Sequence, residues 1–419
     1  MMKKLIIFEN LKIMKRRSFW ISFLLMIILM IGICALSVSE NYWVKDDGTE
    51  IKGWNAINFK REKLIDLSGD LTEESVVEII TQYQDARNNQ SNYIKEDGSL
   101  SSEFNNVAYA KYLQKDADIL NLLRELYAPA GENYDYYIID SIEIEELYKL
   151  YDQRIKKVEE YLNMDYSYGN YTEEEKEYFI DLNRNIKTPF YYSNYTAWSQ
   201  LLGNSYFMIM IIVMVISISL SPVFASEYQS GADSVLLSTK YGRSKLIRAK
   251  FCSAFMITSF IYIFGMGTYT LLNIIIYGTD GWNCSLQMSN LLAPINANML
   301  QVYMYVIITG YLLCISMQGI VLLLSSRMKT PFSVIICSLL LYFIPFFIPY
   351  SKESRLFNNI LNLFPAKMSA AYAALGKYEV YHILGMDILY STMIVLTCLF
   401  FIIITVPLAS KAFKNHQVI

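Results

Sequence analysis

The residues best equipped to do work in this chain lie between 226 and 250, SEYQSGADSVLLSTKYGRSKLIRAK, a polar island between two long apolar runs. It carries five Lys or Arg and two acids: Glu227, Tyr228 and Gly231 come first, then Leu236-Leu237, Arg243, Ser244 and Lys250. The set offers charge, hydrogen bonding, apolar contact and a glycine joint, but no nucleophile paired with a base. Two histidines, His382 and His416, leave no His-based triad and no His-rich metal site. No G-x-x-x-x-G-K-[ST] phosphate loop occurs; Gly376-Lys377 comes nearest, without the upstream glycine or the following Ser or Thr. G-x-S-x-G and H-E-x-x-H do not occur either. Acids are too crowded in residues 39–200 to single out a catalytic pair, and a solvated acidic surface is their plainest reading. The chain is therefore expected to be no enzyme, with no catalytic or metal-binding residue.

Six stretches must position the island. Ser18–Val38, Leu201–Ala225, Phe251–Tyr277, Val302–Leu324, Phe332–Pro349 and Ile388–Leu408 contain no Asp, Glu, Lys, Arg or His. About 20 apolar residues of helix cross a hydrocarbon core of roughly 30 Å. An α-helical polytopic membrane protein of six transmembrane helices is predicted, in keeping with 54% hydrophobic content. Phe332–Pro349 is the shortest and holds Pro345, which predicts a kinked or oblique path. Ser18–Val38 is too long an apolar run for a cleaved signal peptide, whose core is about 7–15 residues.

Charge orients the spans. Residues 1–17 hold six basic residues and one acid, the turn 325–331 holds Arg327 and Lys329, and the tail holds Lys411 and Lys414. The loop 278–301 holds no Lys or Arg. Basic loops stay in the cytoplasm, so both termini and the loop 226–250 are expected inside and residues 39–200 outside a cell membrane. The net charge of −3 conceals a separation: residues 39–200 carry 32 acids and 17 bases. All six cysteines avoid that outer segment, which must then rest on its own packed core rather than disulfides.

Residues 1–17 read equally as an amphipathic helix on the inner leaflet, with Leu5, Phe8 and Leu11 on its apolar stripe, or as a basic flank of the first span. The outer domain reads mostly helical. Val76, Ile80 and Tyr83 share a face, as do Val107 to Leu120 and Ile144 to Leu162 at steps of three or four. Thr172 to Glu175 has the spacing of a capping box. Asp47-Gly48 and Asp97-Gly98 mark turns of a small hairpin. Tyr191, Tyr192, Tyr195 and Trp198 suit an aromatic belt at the outer interface. Residues 351–385, interrupted by Pro365 and Lys367, are expected to form an interfacial or re-entrant segment rather than a crossing.

No span as bounded above contains an ionisable residue, whereas ion-coupled carriers commonly bury one at membrane depth. Thr268, Thr270, Asn273, Thr309 and Gln318 read as helix–helix hydrogen bonds. Energy for any movement must then come from another polypeptide, and the island is the longest cytoplasmic grip. Glu227 to Thr239 is predicted as a short helix with Tyr228, Val235 and Leu236 as apolar contacts. Residues 240–243 form a turn, and Ser244 caps the following span. Such an element is a lever.

Glu227-Tyr228-Gln229-Ser230-Gly231, Leu236-Leu237-Ser238-Thr239, Arg243-Ser244-Lys245 and Lys250 resemble the loop after span two in type-two ABC exporter permeases. There this stretch is the coupling helix that docks on the ATP-hydrolysing subunit. The topology agrees over residues 1–38 and 200–419. The chain departs from the family in two ways: Tyr241-Gly242 stands where the turn often has Pro, and many members lack a large domain between spans one and two. Tyrosine-rich insertions of that kind resemble a bacterial subgroup.

The resemblance implies a permease in the bacterial cytoplasmic membrane, paired with a second permease chain as a homo- or heterodimer. ATP and Mg would bind in a separate ATP-binding subunit, with no cofactor in this chain. Glu227, Tyr228 and Gly231 would shape the coupling helix, Leu236 and Leu237 would fill the partner's groove, and Arg243 would meet an acid or a lipid phosphate. The cargo would be amphipathic: a peptide, an antimicrobial or a lipid. The acidic outer domain could steer cationic peptides, and nucleic acid is not expected as a partner. The alternative is a membrane-anchored sensor whose outer domain captures cationic ligands without transport; six spans are more than a receptor needs.

Overall fold

The computed structural model describes residues 2–95, 97–131 and 135–416. Met1 of the predicted amphipathic segment, and Glu96 and residues 132–134 of the predicted outer domain, lie outside the described residues.

Among the described residues, five helices are long and apolar enough to cross a membrane. Span one is Arg17–Glu40, span two Thr196–Ser230 (bent at Ser221), span three Lys245–Tyr277, span four Met299–Ser325 and span five Tyr390–Lys414. The stretch expected as a sixth becomes a helix of 17 residues, Pro331–Phe347, carrying Pro345 inside it. At 1.5 Å per residue it is roughly 26 Å long, short of a full hydrocarbon core. Thr330 caps its start by accepting from the Ser333 N–H, beside Pro331 at the first helical position.

Spans two and four form the centre. In their most apolar windows 78% and 72% of residues are buried, against 28%, 33% and 28% for spans one, three and five. The outer spans turn Ile21, Leu24, Ile28, Ile263, Leu271 and Ile403 outwards, where only hydrocarbon offers a favourable surrounding. Tyrosine hydroxyls tie the bundle: Tyr262 donates to the Ile307 carbonyl at 2.6 Å, Tyr269 to the Gln200 carbonyl at 2.8 Å and Tyr305 to the Ser391 carbonyl at 2.7 Å. All six cysteines are free.

The two ends of the bundle differ. One, the terminus face, carries the N-terminal helix Met2–Met14, the island and the end of span five. The other, the domain face, carries residues 41–195. Its hairpin pairs Tyr42–Val44 with Glu50–Lys52 around Asp47-Gly48, and Ile94 bridges Leu100 around Asp97-Gly98. Helix Glu73–Asn88 buries Val76, Ile80 and Tyr83, and the Thr172/Glu175 capping box is formed in both directions.

Three local expectations are corrected. The Val107–Leu120 face is not one helix: Asn106–Tyr109, a π-helical turn Ala110–Gln114 and Ala117–Tyr127 follow one another. The Ile144–Leu162 face breaks after Leu147, and its main helix is Leu150–Asn163. Periodicity survives a one-turn interruption, so spacing alone cannot reveal the break.

The third concerns the aromatic belt, which turns inwards. Tyr192 is 3% and Trp198 6% exposed. The Tyr195 hydroxyl donates to the Met288 carbonyl, and the Trp198 indole N–H to the Asp280 carbonyl. The loop between spans three and four folds over them and offers these carbonyls in place of lipid headgroups. Arg154 completes the weld, donating to the Leu291 and Ala293 carbonyls and to Asn183 Oδ1. Burial away from any carboxylate lowers its pKa to about 10.

Residues 351–389 lie on the domain face too. They comprise helix Arg355–Asn362, two single turns and a hairpin pairing Val380–Ile383 with Met386–Leu389.

Candidate coupling site

At the terminus face span two does not stop where the apolar run stops. Ser221 interrupts it, and Pro222–Ser230 continues as an elbow helix. Proline at the first helical position needs no donor partner there. The bend exposes backbone groups that span four repairs. Ser325 Oγ accepts from the Phe224 and Ala225 N–H groups at 3.0 Å each and donates to the Ser221 carbonyl at 2.7 Å.

The elbow ends at Gly231, whose φ of +68° is left-handed and whose N–H bonds back to the Tyr228 carbonyl. A side chain there would strain the backbone, although the space around it is open. A second helix, Ala232–Ser238, then leads into a turn at Tyr241-Gly242. The single helix expected over Glu227–Thr239 is thus two helices hinged at Gly231. Gly242 is required for a different reason: a Cβ there would collide with the Leu236 carbonyl oxygen. Ser244 precedes span three but makes no side-chain cap, contrary to expectation.

Glu227 and Tyr228 therefore belong to the elbow and face inwards. Glu227 is 2% exposed and Lys250, at the base of span three, 0%. Lys250 Nζ donates to Glu227 Oε1 at 2.6 Å, to Glu9 Oε2 of the N-terminal helix at 3.0 Å and to the Val223 carbonyl at 2.8 Å. Lys12 Nζ reaches the same Glu227 oxygen at 2.8 Å. Two acids and two bases close a balanced, dry cluster that joins three elements. Glu9, Glu227 and Lys250 have lost their water, so each needs the others, while Lys12 keeps part of its own.

The tail closes the other side. Phe413 is fully buried, with its ring 4.6 Å from Phe224 and 5.9 Å from Tyr228, and the Tyr228 hydroxyl donates to the Ser326 carbonyl. His416 lies 3.2 Å from Asp233. Arg243 bonds the Lys414 and Leu237 carbonyls, so it engages this chain's own tail. Leu237 is 5% exposed and packs inwards; Leu236 is half-buried, and Val235, at 67%, is the apolar side chain the second helix turns outwards.

Glu9, Lys12, Ser325 and Phe413 were not singled out by the sequence. Glu9 left a trace as the one acid among the first 17 residues, four positions before Ile13 on the buried face. Leu5 and Ile6 are half-buried while Ile7, Phe8 and Leu11 face out, so the N-terminal helix has an apolar outer surface as well as a buried charged one.

The model of the ABC-2 family transporter protein matches residues 5–364 of the chain. The chain belongs to this family. The match runs through the domain-face residues, beyond the expected two-part resemblance, and ends before span five. A search of curated proteins finds no match. As an ABC-2 permease the chain is the transmembrane component of an ABC transporter, not its ATPase, and the family works with an ATP-binding subunit. In this permease the elbow, the hinge at Gly231 and the Glu9/Lys12/Glu227/Lys250 cluster join the N-terminal helix, span two and span three on the terminus face.

Proposed function

We propose that this permease is the six-span half of an ATP-driven exporter of an amphipathic substrate in a bacterial cytoplasmic membrane. Both termini would be cytoplasmic, the acidic domain outside, and a second permease chain would complete the pore. The observation that carries this reading is the hinged elbow on the face bearing the basic N-terminal helix, loop and tail. Force on Ala232–Ser238 passes through Gly231 into the elbow, and the elbow is bonded to spans three and four and to the N-terminal helix. Movement of one surface helix therefore shifts several spans at once. Val235, with Leu236 beside it, is the contact for the ATP-binding subunit, and Leu237 holds the helix to its own chain.

The chain, affinity-tagged and purified from its native membranes, is expected to carry Mg-dependent ATPase activity. Val235→Glu should lose about tenfold or more of the bound ATPase, and Gly231→Trp should retain the ATPase but lose its stimulation by substrate. Tagged chain that never carries an ATPase, or full coupling in both variants, would overturn the reading.

A further inference from the structure

A cavity of about 550 Å³ opens at the domain-face end of the bundle. Its walls come from span two (Leu202, Tyr206), the end of the short apolar helix (Phe346), Ala370 and Ala373 of the following segment, and Tyr390 at the start of span five. It is mostly apolar, yet two lysines border it. Lys377 Nζ donates to the Tyr350 hydroxyl and to Asn362 Oδ1, both at 3.0 Å. Lys367 Nζ reaches only the Phe346 and Ile348 carbonyls, at 3.5 Å. The two ammonium groups lie 4.6 and 4.9 Å from the centre of the same Tyr350 ring.

Among the described residues neither lysine is in a salt bridge. Glu379, the acid whose charge Lys377 feels, is already held by Arg355 at 3.3 Å. Two cations beside one apolar cavity repel each other and have lost part of their water, so an anion placed between them is favoured. Next to them Phe346, Phe347 and Ile344 are exposed apolar side chains at the end of the short apolar helix. One ligand chemistry satisfies both halves: an anionic head with an acyl chain attached.

We propose that this cavity binds an anionic phospholipid of the domain-face leaflet, its phosphate between Lys367 and Lys377 and an acyl chain along Phe346. The proposal does not depend on the transport reading, because binding requires no ATP-binding partner.

The test is native mass spectrometry of the delipidated full chain in detergent, titrated with phosphatidylglycerol or phosphatidylcholine. From the usual contribution of a lysine near an anionic lipid, phosphatidylglycerol should bind roughly 30-fold more tightly. Lys367→Gln/Lys377→Gln should bring the ratio to about one, whereas Lys367→Arg/Lys377→Arg and Lys329→Gln, in the turn at the opposite end of the short apolar helix, should preserve it. Gly203→Leu fills the cavity from span two, where the space beside Gly203 is open. A helix accepts leucine readily, so this variant should fold and weaken both lipids without changing their ratio. Equal affinities in the wild type, a ratio that survives the double Gln variant, or unchanged binding in Gly203→Leu would each overturn the proposal.

Discussion

The molecule holds two charge clusters at opposite ends, and their difference lies in water. At the terminus face Glu9, Glu227 and Lys250 are almost fully buried and only Lys12 is partly open. At the domain face Arg355 joins Glu175 at 3.2 Å and Glu379 at 3.3 Å. His382 adds Glu175 at 3.3 Å and Asp387 at 2.6 Å, with more than half of its side chain in solvent. The first cluster is rigid because every charge depends on its neighbours in a dry site. In the second, Arg355, Glu175 and Glu379 are 14%, 8% and 16% exposed, while His382 and Asp387, at 55% and 42%, can exchange partners with water and respond to salt and protons. A part that transmits force suits the former, and a joint that adapts to its surroundings suits the latter.

The largest gap between the two should appear on removing one partner. Glu227→Ala strands Lys250 without its nearest anion and should cost about 3–5 kcal/mol, read as a fall in melting temperature in detergent. Replacing Glu9, Glu227 and Lys250 together by apolar residues of similar size should recover much of the loss, because no buried charge is then left unpaired. A small effect of the single substitution would show that water reaches the cluster.

Arg355→Ala, on the domain face, should cost about 1.5–3 kcal/mol, and raising salt should shrink that cost while leaving the Glu227→Ala cost nearly unchanged. Equal salt sensitivity at the two faces would erase the contrast.

The smallest effect concerns protons. The Asp387 carboxylate first, with Glu175 adding to it, holds the His382 pKa above its ordinary 6.5 against the opposing effect of burial. A raised pKa means that protonated His382 adds stability below about pH 6.5 and loses it as pH rises through the raised value. Amide exchange in the hairpin 380–389 should therefore quicken, at matched intrinsic rates, between pH 6 and 8. His382→Asn should remove the dependence, and an unchanged wild-type profile would show that the His382 contacts do not hold the hairpin.

Five long apolar helices were readable because hydrocarbon imposes one crude demand, a long uncharged helix, that composition satisfies or fails locally, while the sixth stretch expected to span yields a helix of only 17 residues. The Thr172 box and the Asp47-Gly48 hairpin were readable because their partners lie within a few positions. Glu227 and Gly231 were found through a resemblance, but their roles were not: Glu227 proved a buried anchor and Gly231 the joint between two helices. The aromatic run at Tyr191–Trp198 was misassigned because a ring suited to an interface suits a wet protein core equally well.

The sequence by itself determined that this chain enters a membrane several times and which of its connecting segments are basic, since each rests on residue type within one element. Only the tertiary structure decided that Lys250 meets Glu9, 241 positions away, or that Ser325 repairs the bend at Ser221. Packing chooses such partners: once helices bury their polar groups together, each charge must find whichever opposite charge the neighbouring helix brings within reach.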